Sequence, residues 1–234
     1  MLKSIIKNTE KLKDKEKTEM FLLMHSYYMN VTEENFYNDL SKKDKIIMLM
    51  EEQVLCGFST QVLLTRTINN QKTNIVFSGD TIIDKQHNNS FALPIAWGKM
   101  MFSILNENPT IPLYWLLTSK GYKTYRYLPV FFNNYFPKPF IKLTSFEKIL
   151  LLCVGQELFE EKLDTQRWIL KAGAKDQHLR PGVADITESK RTRQEIVYFE
   201  KKNPGYMHGD ELICLARFSE NNIKPFILKK ILAL

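Results

Sequence analysis

The chain has 234 residues, 44% of them hydrophobic and 12% aromatic, which is enough apolar material for a substantial core and too much for global disorder. Its 33 Lys and Arg against 26 Asp and Glu leave a formal charge of +7, favouring anionic partners without choosing among nucleotides, phosphorylated carriers, nucleic acid and membrane surfaces. Apolar runs such as 149–154 fall far short of the roughly 18 to 20 residues that span a bilayer, so no transmembrane helix is expected. The lysine-rich opening at 1–17 lacks the apolar stretch and small-residue cleavage site of a signal peptide, and a cytoplasmic location is expected. Cys56, Cys153 and Cys214 are an odd, widely spaced set with apolar neighbours, which argues for buried thiols and against a disulfide framework or a zinc site.

In chain order, Met20, Phe21, Leu23, Met24, Tyr27 and Tyr28 recur at helical intervals and predict a helix over about 17–30. Thr32 followed by Glu33 and Glu34 reads as an N-cap, with Phe36, Leu40, Ile46, Ile47 and Leu49 continuing an apolar face, so a second helix is expected, broken near Ser41. From Gln53 the texture turns β-branched and aromatic, predicting strands at 54–60, 62–68 and 73–84, the last two joined as a hairpin through 69–72. Gly79 within the last of these suggests a bulge or a close backbone approach.

A helix from about Phe91 to Leu105 follows, capped by Asn89 or Ser90, then a strand over 111–118 and an aromatic helix over 122–136. Pro137-Lys138-Pro139 is the clearest stop in the chain. Beyond it the pattern predicts a helix over 144–162 capped by Thr144 or Ser145, a long polar loop over 171–193, and strands over 195–201 and 211–218.

A loop between a strand and a helix N-terminus offers unpaired amides and partial positive charge, which suits a phosphate group. The loop after Asp84 is such a place, and His87 within it is the histidine best placed to titrate near a phosphate. Other chemistries are not supported. No His pair has the helical spacing with an acid that a zinc protease needs, Ser59 and Ser78 lack the glycines of a nucleophile elbow, and there is no Walker or dinucleotide fingerprint. The basic stretch Lys190-Arg191-Thr192-Arg193, with Lys175, Arg180, Lys201 and Lys202 near it in sequence, suits phosphates, but Glu188, Glu195 and Glu200 interleave, and nucleic acid is not the expected partner.

The order of elements resembles the GNAT superfamily of acyltransferases. The likeness lies in Ile82 to Ser90, standing where that family has the end of its fourth strand and its pyrophosphate loop, in Pro112 to Thr118 as the next strand, and in Tyr122 to Pro129 on the helix after it. It covers about 21–137. The resemblance implies an α+β fold, a mixed, mostly antiparallel sheet flanked by helices, with residues 1–137 as the core and 138–234 as a C-terminal extension completing or elaborating the same domain. It implies transfer of an acyl group from a CoA or carrier-protein thioester to a small-molecule or peptide amine, with no tightly bound cofactor.

On that footing His87, Asn88, Asn89, Ser90 and Phe91 would hold the donor's phosphates. A tyrosine after the fifth strand, Tyr125 chosen as the middle of Tyr122, Tyr125 and Tyr127, would protonate the leaving thiolate, unless these tyrosines are packing residues. Asp80 or Asp84, with Glu52 as a further candidate, would take the amine proton. This chain departs from the family at the loop: Asn88-Asn89-Ser90-Phe91-Ala92-Leu93 contains neither of the family's glycines, and glycine is what lets a backbone approach a pyrophosphate closely. A GNAT-like binding protein without catalysis is therefore the alternative, and nucleic-acid binding through 175–202 a third reading.

Overall fold

A computed structural model describes residues 2–87 and 90–233. The strands are β1 (Leu2–Asn8), β2 (Tyr28–Met29), β3 (Lys45–Glu51), β4 (Val54–Ile68), β5 (Gln71–Ile83), β6 (Leu113–Ser119), β7 (Leu163–Asp164), β8 (Ile169–Leu170), β9 (His178–Leu179) and β10 (Glu211–Phe218). The α-helices are α1 (Asp14–Tyr27), α2 (Glu33–Leu40), α3 (Ala92–Glu107), α4 (Tyr122–Tyr125), α5 (Tyr127–Phe131), α6 (Ser145–Phe159), α7 (Gln194–Lys202) and α8 (Pro225–Leu232). Eight strands form one mixed sheet in the order β1-β3-β4-β5-β6-β10-β8-β7, antiparallel throughout except between β5 and β6. β10, from the last third of the chain, pairs directly with β6, and β8 and β7 follow it outward, so residues 138–234 share the sheet of the first half.

Alternation along the strands places the core on both faces. Ile47 of β3, Val76 of β5 and Trp115 and Leu117 of β6 pack with α3, α4, α5, α7 and α8. Their neighbours point the other way: Ile46 and Met48 pack with α1 and α2, and Ile75, Phe77, Tyr114 and Leu116 with α6. No helix among the described residues is long and apolar enough to cross a membrane.

Several elements differ from the sequence reading. The second helix ends at Leu40, and Ile46, Ile47 and Leu49 belong to a strand. A continuous apolar run buried on both faces has no period, so it reads equally as helix or strand. Residues 195–201 are helical, because Ile196 and Phe199, spaced three apart, are the buried pair of α7. The aromatic helix of 122–136 is two short helices followed by extended chain, in which Phe132 and Phe136 bridge to Ile223 and Leu215. β1 was not anticipated at all; as an edge strand it is largely exposed, and its lysines blunt that edge.

Other readings hold. Thr144 caps α6, its Oγ1 accepting from Glu147 N at 3.2 Å while Glu147 Oε2 accepts from Thr144 N at 2.9 Å. The β4–β5 hairpin turns on Asn69 and Asn70, both with positive φ, as its tight connection requires.

Candidate active site

The site is made by a change of partner. β5 and β6 run parallel from Asn74↔Leu113 to Ser78↔Leu117 and pair no further. Beyond that point β5 stays with β4, up to Gly57↔Ile83, while β6 stays with β10 through Ser119↔Leu212. The strands part, and a cavity of about 1020 Å³ opens at the gap, with walls from the end of α1, from α2 and from residues 120–127.

A bulge turns β5 at the start of this gap. The register of β4 against β5 shifts between Ser59 and Gln61, opposite Gly79 and Asp80. Gly79 sits at a close approach, since a Cβ there would meet Thr60 Oγ1 at 2.8 Å and force that side chain to move. A buried hydrogen-bond chain pins the bulge from both sides. Trp115 Nε1 donates to Ser78 Oγ at 2.8 Å, Ser78 Oγ to Gln61 Oε1 at 2.6 Å, and Gln61 Nε2 to Ser59 Oγ at 2.8 Å; Ser59 Oγ and Thr81 Oγ1 are 2.7 Å apart. Ser59 and Ser78 are thus structural hydroxyls.

The bulge places Asp80 on the cavity wall. Its carboxylate accepts no hydrogen bond among the described residues, and its pKa is pushed up to about 6, first by burial and then by the charge of Asp39, with Lys43 and Lys120 pulling the other way. Lys120, just past β6, donates from Nζ to Glu211 Oε1 at 2.6 Å. Burial works to lower its pKa, but Glu211, Tyr28 and Asp80 outweigh burial and raise it, so the ammonium stays charged. Tyr28 also lines the cavity; Lys120 Nζ lies 5.9 Å from its ring centroid, and burial above all raises the phenol pKa. Its hydroxyl makes no hydrogen bond among the described residues. Lys43 pairs with Asp39 at 2.9 Å on the same wall.

Of the residues singled out in the sequence, the structure brings Asp80, Ser90 and Phe91 to the cavity, with Tyr122 and Tyr127. It does not bring Tyr125, and the acid role expected of Tyr125 does not fit its position. That residue is 0% exposed and packed against Phe199, and its hydroxyl donates to the Pro137 carbonyl at 2.8 Å. Asp84 is a turn residue as well: Oδ2 accepts from the Tyr27 hydroxyl at 3.1 Å and Oδ1 from Gln86 N at 2.9 Å. Glu52 sits at positive φ in the tight β3–β4 turn, exposed. His87 Nε2 lies 3.2 Å from Glu51 Oε2, and Asn88 and Asn89 lie outside the described residues.

The start of α3 fits a pyrophosphate poorly. Of its first three positions, Ala92 donates its amide to Ser90 Oγ at 3.1 Å and Pro94 has no amide, which leaves Leu93. Phe91 occupies the N-cap position with its ring under Lys230 Nζ at 4.9 Å. In the basic stretch, Arg191 is held by Glu200 and Glu188, and the Arg180 guanidinium by the His25 carbonyl.

Tyr28, Lys43, Lys120 and Glu211 were not foreseen. In sequence Lys120 and Glu211 are ordinary strand-end charges, and only the pairing of β6 with β10 makes them neighbours inside the protein.

No family model matches the chain, and no curated protein matches it. Among solved structures, it is similar to a conserved Enterococcus faecalis V583 protein described as a probable N-acyltransferase, at 16% identity and a TM-score of 0.42, over 58% of this chain. That match spans only 33% of the Enterococcus protein. It is also similar to Escherichia coli ElaA, at 12% identity and a TM-score of 0.39, over 62% of this chain and 94% of that one. A third likeness is to an acyl-CoA N-acyltransferase from Pseudomonas aeruginosa, at 13% identity and a TM-score of 0.35, over 50% and 79% of the two chains. Two helices, three antiparallel strands, a loop, a helix and a strand returning parallel to the third give this chain a mixed, mostly antiparallel α+β fold, in the element order that the sequence resemblance to the GNAT superfamily implies.

Proposed function

We propose that the protein transfers an acyl group from a thioester to an amine in the gap where β5 and β6 part. One observation carries this reading: Asp80, a half-buried carboxylate without a hydrogen-bond donor among the described residues, has its pKa pushed up to about 6 in a cavity wall shared with the buried Tyr28 phenol and the largely covered Lys120 ammonium. A carboxylate of that pKa is mostly ionised at neutral pH yet a stronger base than an ordinary aspartate, which suits general-base catalysis.

The chemistry follows from the three groups. The amine nitrogen attacks the thioester carbonyl carbon, the C–N bond forms, and the amine proton passes to Asp80. The C–S bond breaks as the departing thiolate takes the Tyr28 hydroxyl proton. The Lys120 ammonium supports the transient phenolate, and solvent returns the proton from Asp80 to Tyr28. The donor is a CoA or carrier-protein thioester, and the acceptor a small-molecule or peptide amine.

A second reading, a GNAT-like binding protein without turnover, is favoured by the largely occupied start of α3. Release of free thiol from acetyl-CoA and from a long-chain acyl-CoA, across a panel of primary amines, separates the two. Amine-dependent thiol release that Tyr28→Phe lowers supports transfer. Thiol release from neither donor with any amine supports the binding protein.

A further inference from the structure

Residues 139–142 are exposed in succession, at the tip of a turn that stands on a fixed base. The Pro137 carbonyl accepts from the buried Tyr125 hydroxyl, and Asn222, 9% exposed, accepts from Asn134 N and donates to the Asn134 carbonyl, both at 2.8 Å. Ile141 N then donates to the Lys138 carbonyl at 3.2 Å, which closes a four-residue turn with Pro139 and Phe140 at its centre. Phe140 has a φ of 65°, the left-handed conformation for which turns take Gly or Asn. Its side chain is 105% exposed, so no packing within the chain offsets the strain of that backbone.

Ile141 beside it is also exposed, and on the segment tied in through Asn222 so is Phe226, in the first turn of α8. The charge around these apolar side chains has one sign. Residues 133–142 carry Lys138 and Lys142 and no acid; residues 221–233 carry Lys224, Lys229 and Lys230 and no acid, with Glu220 just before them. Among the described residues none of these five lysines pairs with a carboxylate, whereas Lys7, Lys43, Lys120, Lys162 and Lys171 each do. Glu147, the next acid along the chain from the turn, is engaged in the cap of α6.

We propose that the 138–142 turn, with the start of α8 tied to it, is a docking surface for an anionic phospholipid bilayer. The Phe140 and Ile141 side chains enter the boundary between headgroups and acyl chains, and Lys138, Lys142 and Lys224 meet the anionic headgroups. Lysine suits such a boundary, because its apolar stem follows the buried side chains while the ammonium stays on the water side. A projecting apolar tip fits a fluid surface that closes around it, and aliphatic Ile141 has no ring face for a nucleic-acid base to stack on. The formal charge of +7 draws the whole molecule toward the same surface. This inference goes beyond the acyl-transfer reading and stands without it.

Vesicle flotation tests this, with vesicles of phosphatidylcholine alone and of phosphatidylcholine mixed with phosphatidylserine, each at low and high salt. The wild-type protein is expected to float with the phosphatidylserine vesicles at low salt, and less as salt rises. Phe140→Gly separates docking from folding: glycine adopts the positive φ without strain, so this variant should unfold close to the wild-type temperature, while its affinity for the anionic vesicles falls by about tenfold or more with the loss of one buried ring. Lys142→Gln should lower that affinity by about fivefold, the effect of one lysine near an anionic surface. Leu22→Gln, at an exposed apolar position on α1, should float as the wild type does. Flotation of Phe140→Gly equal to that of the wild type, equal flotation with both vesicle types, or flotation with neither overturns the surface. Self-association of the wild type in sedimentation velocity, or retention of a single-stranded oligonucleotide, lost in Phe140→Gly and without flotation, would likewise overturn it and name a second copy of the chain or a nucleic acid as the occupant.

Discussion

Lys120 Nζ and Glu211 Oε1, 2.6 Å apart with side chains 11% and 21% exposed, tie the end of β6 to the start of β10 beneath Asp80 and Tyr28. Removing one partner leaves the other charge buried. Glu211→Gln is expected to destabilise the protein by about 2 to 4 kcal/mol in urea unfolding, and Lys120→Met with Glu211→Leu by less than the two single changes together. The same Glu211→Gln change should lower the Asp80 pKa, since a negative charge that raises it is gone.

Asp80 makes opposite demands on stability and activity. Its folded pKa of about 6 lies above the ordinary 3.8, so between those values the native state binds more protons than the unfolded chain. Stability therefore falls as pH rises through that window and is lower above it by up to about 3 kcal/mol. Asp80→Asn should unfold at higher temperature than the wild type at pH 7 and lose most of this difference near pH 4, as followed by circular dichroism.

The two tyrosines separate packing from chemistry. Tyr125→Phe removes the donor to the Pro137 carbonyl inside the core and should cost about 1 to 3 kcal/mol of stability with turnover unchanged. Tyr28→Phe breaks no hydrogen bond among the described residues. It should leave the unfolding midpoint within about 0.5 kcal/mol of wild type and lower kcat by tenfold or more.

Gln61 is 0% exposed and bridges Ser78 to Ser59 across the bulge that aims Asp80. Gln61→Leu takes the acceptor from the Ser78 hydroxyl and a donor from Ser59 Oγ, leaving them only Trp115 and Thr81, and should destabilise by about 1 to 3 kcal/mol. If the bulge is what positions Asp80, kcat falls while the apparent acidic pKa also moves, a change that stability loss alone would not produce.

The sequence carried the hairpin, α3, α6 and its cap, and the strand that returns at 113–119, because each has a period, a turn residue or a cap of its own. It did not carry β3 or α7, where a doubly buried run and a short two-residue stripe leave the period ambiguous. In the site, the sequence offered Asp80 as a candidate base from its place near a strand end, and that role is the one proposed above. Lys120 and Glu211 were not legible, since their meeting depends on β6 pairing with a strand more than 90 residues away, nor was Tyr28, which the short pairing of β2 with β9 places. Tyr125 was misjudged for a related reason: within a run of aromatics, sequence does not say which ring points into the core and which toward a cavity.

The central claim is that Asp80 is the base for acyl transfer in the gap between β5 and β6. The most direct measurement is the pH dependence of kcat/KM for thiol release, comparing wild type with Asp80→Asn on a thioester and amine that support turnover. The account predicts a wild-type acidic limb with an apparent pKa near 6, and an Asp80→Asn variant slower by about 100-fold or more, with that limb gone, in a protein at least as stable as the wild type. An Asp80→Asn variant that retains the wild-type rate and the same acidic limb would contradict it.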